Sequence, residues 1–203
     1  MTSTSTVPDL EPAGAALAAA VAATDPGRLD APTPCADWSV RHLLAHIDDL
    51  VTAFTAAAAK DLGPSTDTDT DPATRRSVLR PGWAERLPRE IGTLVGAWRD
   101  PDAWTGMTRA GGVDLPGDVA GVVALDELVL HGWDLARATG QDYRIDETSA
   151  GIVLGFTEQT AADPSPLFGP AVPVPDGAAA FTRALGLAGR DPEWQPPGEW
   201  AAR

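Results

Sequence analysis

A single cysteine, Cys35, excludes an internal disulfide framework. The chain has no basic-then-apolar amino-terminal signal and no run of about 18 apolar residues, so neither export nor a membrane-spanning helix is expected. Positive charge is also scarce. Against 29 Asp and Glu stand 15 Lys and Arg, giving a formal net charge of −14 and a sequence pI near 4.4. Such a chain repels the phosphates of nucleic acid and an anionic membrane surface, so neither is expected as a partner, and the surplus charge favours solubility. Together these absences predict a cytoplasmic protein. Histidine is scarcer still, because His42, His46 and His131 are the whole supply. Any imidazole chemistry must therefore come from two short segments. At 203 residues the chain can bury one sizeable core and is short for two domains.

Apolar residues recur with helical period over most of the length. The polar start, residues 1–6, carries no such pattern and is expected to fray. An Ala-rich first helix is expected over roughly 9–24, with Leu10, Leu17 and Val21 inward, and Asp25-Pro26-Gly27 stops it. The prolines at 32 and 34 make an extended connector. Cys35 ends it and reads as a small buried hydrophobe. A second helix spans about 39–60 on Leu43, Leu44, Ile47, Leu50, Val51 and Phe54, with Asp48 and Asp49 taken as solvated. Residues 63–71 are acidic and free of hydrophobes, so a flexible loop is expected. The alternating Asp there lack the turn Gly and closing Glu of a calcium loop. A third helix is expected over about 73–99, broken or kinked at Pro81 and Pro88. Residues 103–108 and 111–115 could form a short β-hairpin. A fourth helix covers about 118–138 and ends at Gly140, and another covers about 146–162. A Pro-rich strap over 163–175 leads to a short helix near 177–187, and the residues after Glu193 read as a loose tail. The fold class is all-α, with additional short helices and room for a small β-hairpin.

Glu127 and His131 stand four apart inside the fourth helix, hence one above the other on one face. Leu128, Leu130 and Leu135 around them suggest that the pair points inward. A buried carboxylate beside a buried imidazole is costly without a partner, and a divalent cation would satisfy both at about 2.0–2.2 Å. His46, flanked by Leu43, Leu44, Ile47 and Leu50, is the better third ligand. His42 lies in the first turn of its helix, three residues after the capping candidate Ser39. On spacing alone, a metal site and a hydrogen-bonded core histidine both remain open.

The text around these residues carries more. Thr33-Pro34-Cys35-Ala36-Asp37-Trp38-Ser39-Val40-Arg41, then Leu43-Leu44-Ala45-His46, then 126–140 from Asp126-Glu127 through His131-Gly132-Trp133-Asp134 to Gly140, resemble the DinB/YfiT-like superfamily. The similarity is to its actinobacterial branch that includes the mycothiol-dependent maleylpyruvate isomerase amino-terminal domain. The resemblance spans about residues 8–193, leaving 1–7 and 194–203 as loose termini. It implies an antiparallel four-helix bundle holding a divalent metal, usually zinc and otherwise nickel or another ion, on His46, Glu127 and His131. His42 departs from the family pattern, where an acidic residue is common, and takes no role. No further module is expected after Trp194, where the isomerase has a carboxy-terminal domain, which speaks against that isomerisation here.

Three protein ligands leave a tetrahedral ion one open position, at which water is acidified toward a pKa of about 7 and a thiol is deprotonated. The resemblance thus implies a zinc-dependent transferase that joins a low-molecular-weight thiol, mycothiol, to a small electrophile. The alternatives are a metal-dependent hydrolase with Asp134 as the base, and a bundle that binds metal or thiol without turnover. Catalytic residues beyond the ligands are not assigned, and the oligomeric state is left at monomer or homodimer.

Overall fold

The computed structural model describes residues 7–66, 78–161 and 168–200. Among the described residues six α-helices form the frame: α1 (Glu11–Ala22), α2 (Val40–Ala58), α3 (Trp83–Ala97), α4 (Gly117–Thr139), α5 (Glu147–Ala161) and α6 (Ala180–Leu187). Two short strands, β1 (Met107–Ala110) and β2 (Val113–Pro116), make an antiparallel hairpin that pairs Met107 with Pro116 and Ala110 with Val113. The protein is all-α with a small hairpin. No helix among the described residues is long and apolar enough to cross a membrane.

The core forms where four helices turn their apolar stripes on one another. α1 packs on α3 and α4, and α2 packs on the same two, while α5 and α6 form a pair that joins through α5 to α4. Leu17, Leu43, Leu44, Ile47, Leu87, Ile91, Leu94 and Leu125 are almost wholly shielded. Removing each such side chain from water contributes about 1.5–3 kcal/mol before the entropy of ordering is counted. α4 is central and buried on nearly every side. Its carboxyl end is set by Gly140, whose φ of 74° is left-handed, and that residue's N–H closes on the carbonyls of Ala136 and Arg137. Buried tryptophans satisfy their own donors: Trp98 Nε1 donates to Phe54 O at 3.1 Å and Trp104 Nε1 to Trp98 O at 2.7 Å. The hairpin is pinned to the end of α2 by Thr108, whose hydroxyl donates to Ala57 O at 2.6 Å.

Four expectations need correction. The third helix starts only at Trp83, because Pro81 is followed by Gly82 with a left-handed φ of 70°; residues 73–77 of the expected helix lie outside the described residues. Pro88 nevertheless sits inside α3 and costs it one ladder hydrogen bond without ending it. The hairpin lies further along than expected, since Pro101–Trp104 is a 3-10 turn capped by Asp100, which accepts from Asp102 N at 3.0 Å. Asp48 is not solvated: it is 2 % exposed and clamped by Arg86 through two 2.8 Å hydrogen bonds and by Arg80. Burial pushes its carboxyl up, but the two guanidiniums outweigh that and hold it below the usual carboxylate range. Finally, the residues from Trp194 to Trp200 are tied down. Arg137 donates twice to Trp194 O and Arg28 to Trp200 O, and both indole rings pack against the core. The fraying start, part of the acidic loop (67–71) and the beginning of the strap (163–167) lie outside the described residues.

Candidate metal centre

α2 and α4 pack face to face, and this brings His46 from the first beside Glu127 and His131 from the second. Helical spacing does the local work, since Glu127 and His131 are one turn apart on α4 and their atoms Oε2 and Nε2 meet at 2.9 Å. His46 Nε2 lies 3.8 Å from the same Glu127 oxygen, and the two imidazole rings stand edge to face with centroids 4.8 Å apart. All three donor atoms lie within 4.8 Å of one another. Ligands about 2.0–2.1 Å from a tetrahedral ion are separated by about 3.3 Å, a value that the 2.9 and 3.8 Å distances bracket. The donor set fits a divalent ion. Trp38, from the connector before α2, walls the site with its ring 4.9 Å from that of His46 and 6.1 Å from that of His131.

The far side of His131 is equally well defined. Its Nδ1 lies 3.0 Å from Asp134 Oδ2, and Asp134 is fully buried. In the tautomer that donates from Nδ1, the Nε2 lone pair is directed at the space shared with His46 and Glu127, the arrangement that commonly orients a metal-ligating histidine. Cys35 Sγ donates to the same Asp134 oxygen at 3.0 Å. Arg190 Nη2 donates to it at 3.1 Å, and lies 3.6 Å from Cys35 Sγ. Cys35, His131 and Asp134 therefore make a second donor cluster that shares His131 with the first.

The electrostatics follow from burial and these contacts. Burial keeps His46 below the ordinary histidine value, so it is neutral and able to coordinate. Burial would raise Glu127, but hydrogen bonds from His131 and His46 more than reverse this and keep it ionised. Asp134 is likewise raised by burial yet brought down to about 2 by Arg190 and His131. His131 is pushed down by burial and carried well above its ordinary value by Asp134, Cys35 and Glu127, which favour a proton on the ring. A cation is what this pocket favours, and an ion can replace that proton. Cys35 is raised by burial and by the Asp134 charge, which keeps it a thiol. Asp126, buried behind the site, is raised by burial and then by Glu127, and its Oδ1 has no hydrogen-bond partner among the described residues.

The three residues expected as ligands thus come together. His42 does not join them: it is exposed one turn away, and its Nδ1 accepts from Ser39 N at 3.4 Å. Asp134, the base of the hydrolase alternative, lies buried behind His131. Sequence reasoning missed Arg190 and the placement of Cys35, because 155 residues separate the two and no spacing rule links them. It also gave no role to Trp38, although that residue stands within the segment that carried the resemblance.

Residues 10–136 match the family model described as the mycothiol maleylpyruvate isomerase N-terminal domain. Among solved structures the chain is similar to the crystal structure of the mycothiol-dependent maleylpyruvate isomerase, with a TM-score of 0.55 and 16 % identity over 76 % of this chain and 70 % of that one. At that identity the likeness concerns the fold. No curated protein matches the chain.

Proposed function

This chain belongs to the mycothiol maleylpyruvate isomerase N-terminal domain family, and from that premise we propose that His46, Glu127 and His131 hold a divalent ion, zinc by preference, in a transferase that joins mycothiol to a small electrophile. The observation that carries the proposal is the convergence of three donor atoms on one space, with the remaining nitrogen of one ligand already held by a buried carboxylate. Two imidazoles and one carboxylate form a donor set suited to zinc, with nickel the next candidate. Bound there, the ion supplies Lewis acidity that favours the thiolate form of a thiol placed at its open position.

The chain's own residues prepare that position. Glu127 and His46 present their donors from two different helices, so the distance between α2 and α4 fixes the size of the site. Asp134 keeps the proton on Nδ1 of His131 and the lone pair on Nε2. Trp38 shields one side and limits the water that competes with a thiol. The conjugation itself breaks the thiol S–H bond, whose proton passes to solvent, and joins the sulfur to an electrophilic carbon of the substrate; the electron pair of the bond broken at that carbon leaves with the displaced group or, in an addition, goes to the neighbouring atom, which takes up a proton from solvent. The hydrolase alternative lacks its base: Asp134 is directed at Nδ1 of His131 and at Arg190, away from the space between the donors.

Metal analysis of untagged protein tests the site, with about one ion per chain expected and sharply weaker binding in His46→Ala, Glu127→Ala and His131→Ala. Full stoichiometry and affinity in all three variants would refute the ligand set. The thiol role is tested on cobalt-substituted Cys35→Ala protein, in which mycothiol should add a sulfur-to-cobalt charge-transfer band. A cobalt-loaded protein that shows no band at saturating thiol excludes the transferase, and a band without any conjugate across a panel of electrophiles leaves a thiol-binding protein.

A further inference from the structure

His131 is the only residue common to both donor clusters, so the side chain could serve an ion on either of its nitrogens. One half of this choice is already filled. Arg190 reaches into the Cys35–Asp134 half with Nη2 at 3.1 Å from Asp134 Oδ2 and 3.6 Å from Cys35 Sγ, and Nε lies 3.5 Å from Asp134 Oδ1. The arginine is itself largely buried, with 12 % of its side chain exposed beside a carboxylate that is 0 % exposed. Its approach is built into the backbone. Gly189 takes a left-handed φ of 76°, where a Cβ would be strained and would meet Gly169 O at 3.0 Å, and Arg190 N closes on Leu185 O at 2.8 Å. Arg190 Nη1 donates to Ala188 O at 2.8 Å, which holds the guanidinium in place. The residue lies outside the 10–136 stretch that carries the family match.

We propose that Arg190 is a positioning residue that acts as the resident cation of the Cys35–Asp134 half, and thereby commits Nε2 of His131, and not Cys35, to the metal. Asp134 Oδ2, the oxygen that an ion in the second cluster would need, already takes contacts from His131, Cys35 and Arg190, so that cluster is closed as long as Arg190 is in place. With Asp134 fixed by Arg190, the imidazole of His131 cannot rotate away from Glu127 without leaving a buried carboxylate short of a donor. The inference rests on the metal reading proposed above, and it explains why a cysteine within reach of a metal-binding histidine stays out of the site.

The test compares wild-type protein with Arg190→Met, which keeps an unbranched apolar stem and removes the charge. Metal affinity is measured by competition with a chromophoric chelator, and the cobalt-substituted proteins are examined spectroscopically without added thiol. Arg190→Met should bind zinc about 10–100-fold more weakly, as losses behind a metal ligand commonly do. In the same variant Cys35 is freed to coordinate, so a sulfur-to-cobalt band should appear that is absent from wild type and from the Arg190→Met, Cys35→Ala double variant. Either change supports the proposal; wild-type affinity together with an unchanged spectrum overturns it. Should Arg190→Met fail to fold, Arg190→Gln also removes the charge beside Asp134 while keeping a hydrogen-bond donor, and the same two readings apply. Arg137→Met, which loosens the same tail at Trp194 without touching His131, should keep wild-type affinity. A loss equal to that of Arg190→Met would show tail docking to be the cause and also overturn the proposal. If wild-type binding itself proves independent of His46 and Glu127, the ligand assignment has failed, an outcome distinct from the failure of Arg190.

Discussion

Asp48→Asn is the substitution whose effect the structure lets one calculate most directly. The native carboxylate is 2 % exposed and accepts from Arg86 Nη1 and Nη2, both at 2.8 Å, from Arg80 Nε at 2.9 Å, and from Arg80 Nη2. Breaking a buried ion pair by removing one partner costs about 3–5 kcal/mol when the survivor stays buried. Here the survivors are less constrained, because the side chains of Arg86 and Arg80 are 20 % and 49 % exposed and both retain Glu90. Asn also keeps the shape and one acceptor. The expected loss is therefore about 2–3 kcal/mol, and for a chain of this size about 2–4 °C of Tm accompanies each kcal/mol, giving a fall of about 4–12 °C. The pH dependence supplies an independent check. The folded carboxyl titrates below its unfolded value of about 3.9, so its contribution is fully present above that pH and is lost as pH falls through the folded value. Urea unfolding in the presence of chelator should show the full gap between wild type and Asp48→Asn at pH 7, narrowing below pH ~4. A gap under about 0.5 kcal/mol at pH 7, or one that persists unchanged in acid, would mean that the clamp contributes nothing as an ion pair.

His42→Ala should retain metal at wild-type stoichiometry, since the ring is exposed and bonded to Ser39, and inductively coupled plasma analysis checks this. Trp98→Ala removes a side chain that is 1 % exposed and bonded to Phe54 O; urea titration should show a loss of about 3–5 kcal/mol, and a loss below 1 kcal/mol would place the ring outside the core. If thiol binds the loaded protein as thiolate, its apparent affinity should rise with pH until the free thiol ionises near pKa ~8.5, and a flat profile by calorimetry would exclude proton release on binding.

Much of the bundle could be read from the chain because long apolar helices announce themselves by period. α2 and α4 begin and end within about two residues of expectation, and Gly140 closes α4 where a left-handed residue was expected. The convergence of His46, Glu127 and His131 was legible for a related reason. Glu127 and His131 share a face by helical geometry, and His46 was singled out because Leu43, Leu44 and Ile47 fix which side of α2 is buried. The errors fall where local text does not decide the outcome. Asp48 looks like any charged helix residue until Arg80 and Arg86 arrive from a different part of the chain. The start of α3 was misplaced because the apolar pattern runs on through Val78 and Leu79, while the backbone follows Pro81 and Gly82.

The same distinction separates the proposed metal ligands from the residues behind them. Such a set can be read from short spacings because a helix that gives two donors to one ion must place them about one turn apart. The groups that orient those donors answer only to three-dimensional proximity. Asp134 could be found three residues beyond His131, whereas Arg190 lies 56 residues further on, and reaches Asp134 because α5 and α6 carry the chain back across α4. Its partner Cys35 comes from the opposite end, through a connector held by a bridge between Pro32 and Ser39. Two distant segments thus converge on one carboxylate oxygen, the one that meets Nδ1 of His131. Arg190 therefore holds Asp134 from outside the family match, and a change of sequence there would alter what fixes the carboxylate behind His131 without altering His46, Glu127 or His131.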